Sequence, residues 1–219
     1  MAVNKDVYQK IHEELRLSNI TLVAVSKTKP IEDILELYNL GHRDFGENYV
    51  QELAEKAEKL PNDIRWHFIG HLQSNKVRSI VPFIYLIHGV DSLKLLKEID
   101  KQAEKSKRVI DCLLQVHIAQ EETKFGFDET ELLNLELKQF LNVRIKGLMG
   151  MASLTDDINK IRIEFKSLRT LFEKLKTQNP ELSILSMGMS ADYKIALEEG
   201  SNMVRIGSLL FGERNYDSK

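Results

Sequence analysis

"TLVAVSKTKPIEDILELYNLGHRDFGEN", residues 21–48, contains a strand, a helix and a second strand in one uninterrupted run. "TLVAVSK" is rich in β-branched residues and reads as a strand. "PIEDILELYNLG" reads as a helix, with Pro30 at its first position, Glu32 and Asp33 at the positive end of its dipole and Gly41 at its C-terminal cap. Ile31, Ile34, Leu35 and Tyr38 form the buried stripe of that helix. "RDFGEN" is then a short second strand.

The same rhythm extends in both directions. Before it, "NKDVYQKIHEELRL" is a polar amphipathic helix with Val7, Ile11 and Leu15 at a spacing of four. After it, "RWHFIG", "YLIHGV", "VIDCLLQVHI", "RIKGLMGM", "LSILSMG" and "NMVRIGSLLFG" read as strands three to eight. Helices separate them, among them "YVQELAEKAEKL", "SNKVRSIVPF" and "SLKLLKEIDKQAEKS", and Asp128 with Glu131 forms a capping box at the start of another. Strands this apolar, alternating with helices, imply parallel pairing with both faces covered. Eight strand–helix units of roughly 27 residues fit a (β/α)8 TIM barrel near its lower size limit, preceded by an additional N-terminal helix. An open doubly wound sheet is the alternative, and eight strands favour closure. No linker, low-complexity tract or composition shift divides residues 1–219, which read as a single α/β domain.

The 219 residues are 42% hydrophobic and 29% charged, with a net charge of −2, the balance of a soluble globular protein. Near-neutral charge argues against broad attraction to nucleic acid or membrane. No apolar run approaches the ~20 residues that span a bilayer, and the N-terminus lacks the apolar core of a signal peptide. A single cysteine, Cys112, excludes an internal disulfide framework and fits a cytoplasmic location.

In such a barrel the functional face lies at the C-terminal ends of the strands. Lys27 falls there, in phase with Val23 and Val25, so it points inward at the mouth if they face the interior. A partly desolvated lysine loses its proton more readily, and a neutral amine attacks carbonyls to form Schiff bases. Lys29 belongs to the loop beyond and is the better candidate for a solvated lysine. "SMGMSADYKIALEEG" places Ser186 and Ser190 at the exit of strand seven, with Ser190 a candidate N-cap for a helix from Ala191 to Gly200. "RIGS" adds Gly207 and Ser208 at strand eight, and these two exits are where barrels commonly hold phosphate. Arg205, in phase with Met203 and Gly207, shares the interior face and needs an acceptor there. Glu47 and Asn48 mark the exit of strand two. His67 and His71 in "WHFIGH" lack the glutamate and helical setting of a zinc protease motif, so a hydrogen-bonded histidine is the better reading and no metal site is expected.

"AVSKTKP", "FGENYVQE", "WHFIGHLQSNK", "GLM", "SMGMSADY" and "MVRIGSLLFGERNY" occur in this order, and together they resemble the pyridoxal phosphate homeostasis proteins, single-domain relatives of the alanine racemase barrel. The resemblance spans residues 4–216. It implies that Lys27 carries pyridoxal 5′-phosphate as a Schiff base, with Asn48 near the phenolic oxygen and Met149 beside the ring. It implies phosphate contacts from Ser186, Ser190, Gly207 and Ser208, Arg205 at the pyridine nitrogen, and His67 behind them. Gly150 departs from the alanine or threonine common in the family. The implied role is intracellular cofactor homeostasis, with pyridoxal-phosphate-dependent apo-enzymes as recipients and no turnover of its own. The chain ends seven residues after Gly212, leaving no room for the second domain of alanine racemase, and a monomer is expected. A small pyridoxal-phosphate-dependent racemase is the runner-up, and a cofactor-free phosphate-binding isomerase the third reading.

Overall fold

The computed structural model describes residues 3–119 and 125–212. After α1 (Lys5–Leu17), the chain alternates through β1 (Thr21–Val25), α2 (Ile31–Asn39), β2 (Asp44–Glu47), α3 (Val50–Lys59), β3 (Arg65–Phe68) and α4 (Val77–Ile80). It continues through β4 (Leu86–Val90), α5 (Leu93–Lys105), β5 (Ile110–Gln115), α6 (Glu129–Leu133), β6 (Val143–Met149) and α7 (Ile158–Gln178). Last come β7 (Ile184–Met189), α8 (Tyr193–Glu198), β8 (Met203–Ile206) and α9 (Ser208–Phe211). The strands form a closed parallel barrel in chain order, and β1 meets β8 with Val23 opposite Arg205. The expected TIM barrel with its extra N-terminal helix is therefore the observed fold.

Period-two alternation sorts the side chains. Val23, Leu86, Leu113, Met149 and Met203 pack together inside the barrel. The larger core lies between strands and helices, where Tyr8, Ile11 and Leu15 seat α1 and Ile34 and Leu37 seat α2. Two strand approaches require glycine. A Cβ on Gly147 would sit 1.7 Å from the Ile184 carbonyl oxygen, and one on Gly188 (φ +95°) would sit 2.6 Å from the Ala196 Cβ.

Several local expectations need correction. Pro30 is extended (φ −68°, ψ 162°) and precedes α2, which begins at Ile31. The segment at 74–83 divides into a 3-10 turn (Ser74–Lys76) and the short α4, which ends at Ile80. Pro82 explains this stop: it has no N–H to donate, so the hydrogen bonding cannot continue past Val81, which itself keeps helical angles (φ −50°, ψ −36°). The run at 202–212 is strand only as far as Ile206. Gly207 breaks it, and α9 follows with Leu210 and Phe211 buried and the Leu210 carbonyl accepting from Asn4 N at 2.8 Å. The expected capping box is present: Asp128 accepts from Glu131 N and Glu131 from Asp128 N. The "ERNY" end of the last motif, residues 213–216, lies outside the described residues.

Candidate functional site

A cavity of about 310 Å³ opens at the C-terminal ends of the strands. Beyond the buried Val23, Val25 and Lys27 both line it, as alternation along β1 requires. Lys29 is not the solvated lysine expected from its loop position. Its Nζ donates to the Phe211 carbonyl at 2.7 Å and the Gly212 carbonyl at 3.3 Å, fastening the β1 exit to the end of α9.

The wall of the cavity carries Lys27, Lys29 and Arg205, and no carboxylate among the described residues. Ser190, Gly207 and Ser208 lie together on the β7–β8 side. Ser190 is not a helix cap: α8 starts at Tyr193, and the Asp192 carboxylate accepts from Met189 N at 2.6 Å. The Ser190 hydroxyl instead accepts from Gly207 N at 3.2 Å, drawing the two strand exits together. Across the cavity Asn48 Oδ1 is buried without a hydrogen-bond partner, an arrangement that costs free energy until a donor meets it.

Arg205 is 3% exposed. Its Nη1 donates to the Ser186 carbonyl (2.9 Å) and Ser186 Oγ (2.6 Å), and its Nη2 to the Gly150 carbonyl (3.1 Å). Burial lowers its pKa to about 10, opposed by Asp192, so it remains a cation at neutral pH. From Arg205 a hydrogen-bonded chain descends through the barrel. Ser186 Oγ lies 3.2 Å from His88 Nδ1, His88 Nε2 lies 2.9 Å from His67 Nδ1, and His67 Nε2 lies 3.0 Å from Asp44 Oδ1. Arg65 closes the far end on Asp44 at 2.5–2.7 Å. Burial holds His88 well below the usual imidazole range, whereas hydrogen bonds from Arg65 and His67 overcome the burial of Asp44 and hold its carboxyl well below its own. One arrangement satisfies every group: Arg205 donates to Ser186, Ser186 to His88, His88 to His67 and His67 to Asp44. The chain links the mouth to a second cavity, about 340 Å³, which Asp44, Arg65 and His67 help to line at the opposite ends of the strands.

Lys27, Asn48, Ser190, Arg205, Gly207 and Ser208 thus converge on one cavity, whereas Met149, Ser186 and His67 do not line it. Met149 is fully buried in the layer below, and Met151, two residues on, reaches the cavity wall. Ser186 also sits one layer low, opposite Met203, because β7 runs on three residues beyond it to Met189. His67 lies deeper in the relay. Sequence reasoning missed His88, Asp44 and Met151. The signal for His88 was present: it is in phase with the interior-facing Leu86. A groove of about 530 Å³ beside α3 and α4 is larger than the mouth cavity, but Glu55 and Glu58 on its wall suit an anionic ligand poorly. Among the described residues no cluster of His, Cys, Asp or Glu could hold a metal ion.

The chain is similar to known proteins along nearly its whole length. The family model of the alanine racemase N-terminal domain matches residues 5–215. The pyridoxal phosphate homeostasis protein of Vibrio alginolyticus is 42% identical over 205 residues, covering 90% of this chain and 88% of that protein. That of Aquifex aeolicus is 44% identical over 199 residues, covering 89% and 87%. The solved structure of PipY from Synechococcus elongatus without pyridoxal phosphate is 37% identical, with a TM-score of 0.88 and coverage of 94% of this chain and 99% of PipY. PipY with pyridoxal phosphate bound gives a TM-score of 0.83 at the same identity, over 94% of this chain and 100% of PipY. The chain therefore belongs to the alanine racemase N-terminal domain family and, within it, to the pyridoxal phosphate homeostasis proteins.

Proposed function

We propose that this protein binds pyridoxal 5′-phosphate at the barrel mouth, holds it as a Schiff base on Lys27, and acts in the cytoplasm to buffer the cofactor and deliver it to apo-enzymes. The observation that carries the reading is the cavity wall, where three basic side chains and no described carboxylate meet a buried, unpartnered Asn48 oxygen. A phosphorylated ligand whose aromatic ring carries a hydroxyl to donate to Asn48 Oδ1 fits those basic groups and that acceptor. Ser190, Gly207 and Ser208 hold the phosphate, Asn48 meets the ring's phenolic oxygen, and Arg205 faces the ring nitrogen. When bound, the cofactor supplies an aldehyde electrophile for the Lys27 amine. Arg205 donates hydrogen bonds without surrendering its proton, so it favours an unprotonated ring nitrogen. The names of the relatives and the cofactor bound in PipY support the same ligand. The buried, reduced Cys112 is compatible with the cytoplasm, and no described helix is long and apolar enough to cross a membrane.

A small racemase is the second reading, favoured by the family model. Racemisation needs proton donors on both faces of the cofactor. Apart from its lysines and arginine, the described lining holds no histidine, tyrosine, cysteine or carboxylate to oppose Lys27. Two assays on loaded protein separate the readings: recovery of activity by an added apo-enzyme, and chiral chromatography after incubation with amino acids. Delivery without racemisation is expected. Multiple turnovers of one amino acid would establish the enzyme instead.

A further inference from the structure

The function proposed above uses Lys27 but leaves unexplained a buried ionic cluster behind β1. Lys56 of α3 is 5% exposed, and its ammonium donates to three oxygens: the Ser26 carbonyl (2.8 Å), Glu47 Oε1 (2.8 Å) and Glu52 Oε1 (2.7 Å). Glu52 Oε1 also accepts from Thr28 N at 2.6 Å. The Ser26 hydroxyl donates to Glu47 Oε1 at 2.7 Å. An ion pair serving only to fasten α3 to the barrel would end at Glu47. Here the bonds continue to the carbonyl just before Lys27 and the N–H just after it.

The backbone they reach is a tight turn. Lys29 N donates to the Ser26 carbonyl at 3.0 Å, leaving Lys27 and Thr28 as the central residues. Thr28 has φ +62°, a left-handed conformation that β-branched residues avoid and that persists only where surrounding contacts enforce it. The contact made by Thr28 N is the Glu52 carboxylate. With the peptide groups on both sides fixed, the Cα–Cβ direction of Lys27 is fixed as well. We propose that Glu52 and Lys56 are positioning residues for Lys27: from outside the barrel, α3 grips the turn and presents the Lys27 amine to the mouth cavity. The proposal rests on the reading of Lys27 as the cofactor lysine.

The test separates attachment from binding. Pyridoxine 5′-phosphate, which lacks the aldehyde, reports binding to the cavity alone. Growth of the visible band on mixing with pyridoxal 5′-phosphate, with peptide mass after borohydride reduction, reports attachment at Lys27. Glu52→Ala is expected to slow attachment about tenfold, the scale of a small misplacement of a reacting group, with pyridoxine phosphate affinity kept within about twofold. Glu52→Gln, which retains an acceptor for Thr28 N, should recover most of the rate. Should Glu52→Ala fail to fold, the double variant Lys56→Met with Glu47→Gln removes the grip on Ser26 without leaving a buried unpaired charge, and the same slowing is expected. An unchanged rate in Glu52→Ala overturns the proposal. So does a parallel loss of pyridoxine phosphate affinity, or a Glu52→Gln variant as slow as Glu52→Ala. A wild-type protein that binds pyridoxine phosphate yet attaches nothing at Lys27 refutes the assignment of Lys27 itself, and the grip with it.

Discussion

His88 sits at the centre of the barrel as a neutral imidazole, and its neutrality has a consequence for stability. Burial lowers its pKa well below 6.5, and burial lowers that of His42 to about 4. In the unfolded chain both groups take up a proton near pH 6.5, while the folded protein refuses it. The unfolded state therefore binds more protons across this window, and stability falls as pH drops from about 6.5 towards 4. Asp44, with its depressed pKa, adds a loss at still lower pH, whereas Glu47, raised by burial, acts in the opposite direction. Urea unfolding at pH 7, 5.5 and 4.5 should show a falling midpoint, and His42→Gln should flatten the slope. A midpoint constant over that range would contradict these assignments. At this scale the placement of Lys27 was legible, because three alternating residues need no knowledge of the partner strands. Ser186 was misplaced because β7 continues through Gly188 to Met189, an extension that the glycine hides from local strand patterns.

Elements meet at close approaches that glycine alone permits. At Gly147 an alanine Cβ would overlap the Ile184 carbonyl oxygen, so β6 and β7 would have to separate. Gly147→Ala should cost about 4 kcal/mol or more, or prevent folding. Gly41→Ala, at φ +94° with nothing within 4 Å, should cost only about 1 kcal/mol of backbone strain. Equal losses by chemical denaturation would show that contact at the seam is not the deciding term. The long periodic helices and the capping box at Asp128 were readable because their signals are local. α9 was not, since "SLLF" is a short apolar run in which strand and helix look alike until the barrel ends at Gly207.

The closed barrel leaves no unpaired strand edge among the described residues. Sedimentation at micromolar concentration should give a single 25.3 kDa species, and a stable dimer would contradict the monomer expected from the sequence. The barrel was visible in the sequence through eight repeats of one pattern. The relay from Arg205 to Asp44 was not, because it joins β2, β3, β4, β7 and β8, whose interior levels become comparable only after closure. The central claim is that Lys27 holds pyridoxal 5′-phosphate. Its most direct test is the visible absorption spectrum after addition of the cofactor, before and after borohydride reduction, for wild type, Lys27→Ala and Lys29→Ala. At saturating cofactor, wild type and Lys29→Ala are expected to show a yellow, reducible band that is absent from Lys27→Ala, with Lys29→Ala needing more cofactor to reach it. No band in wild type, or an equal band in Lys27→Ala, would contradict that claim.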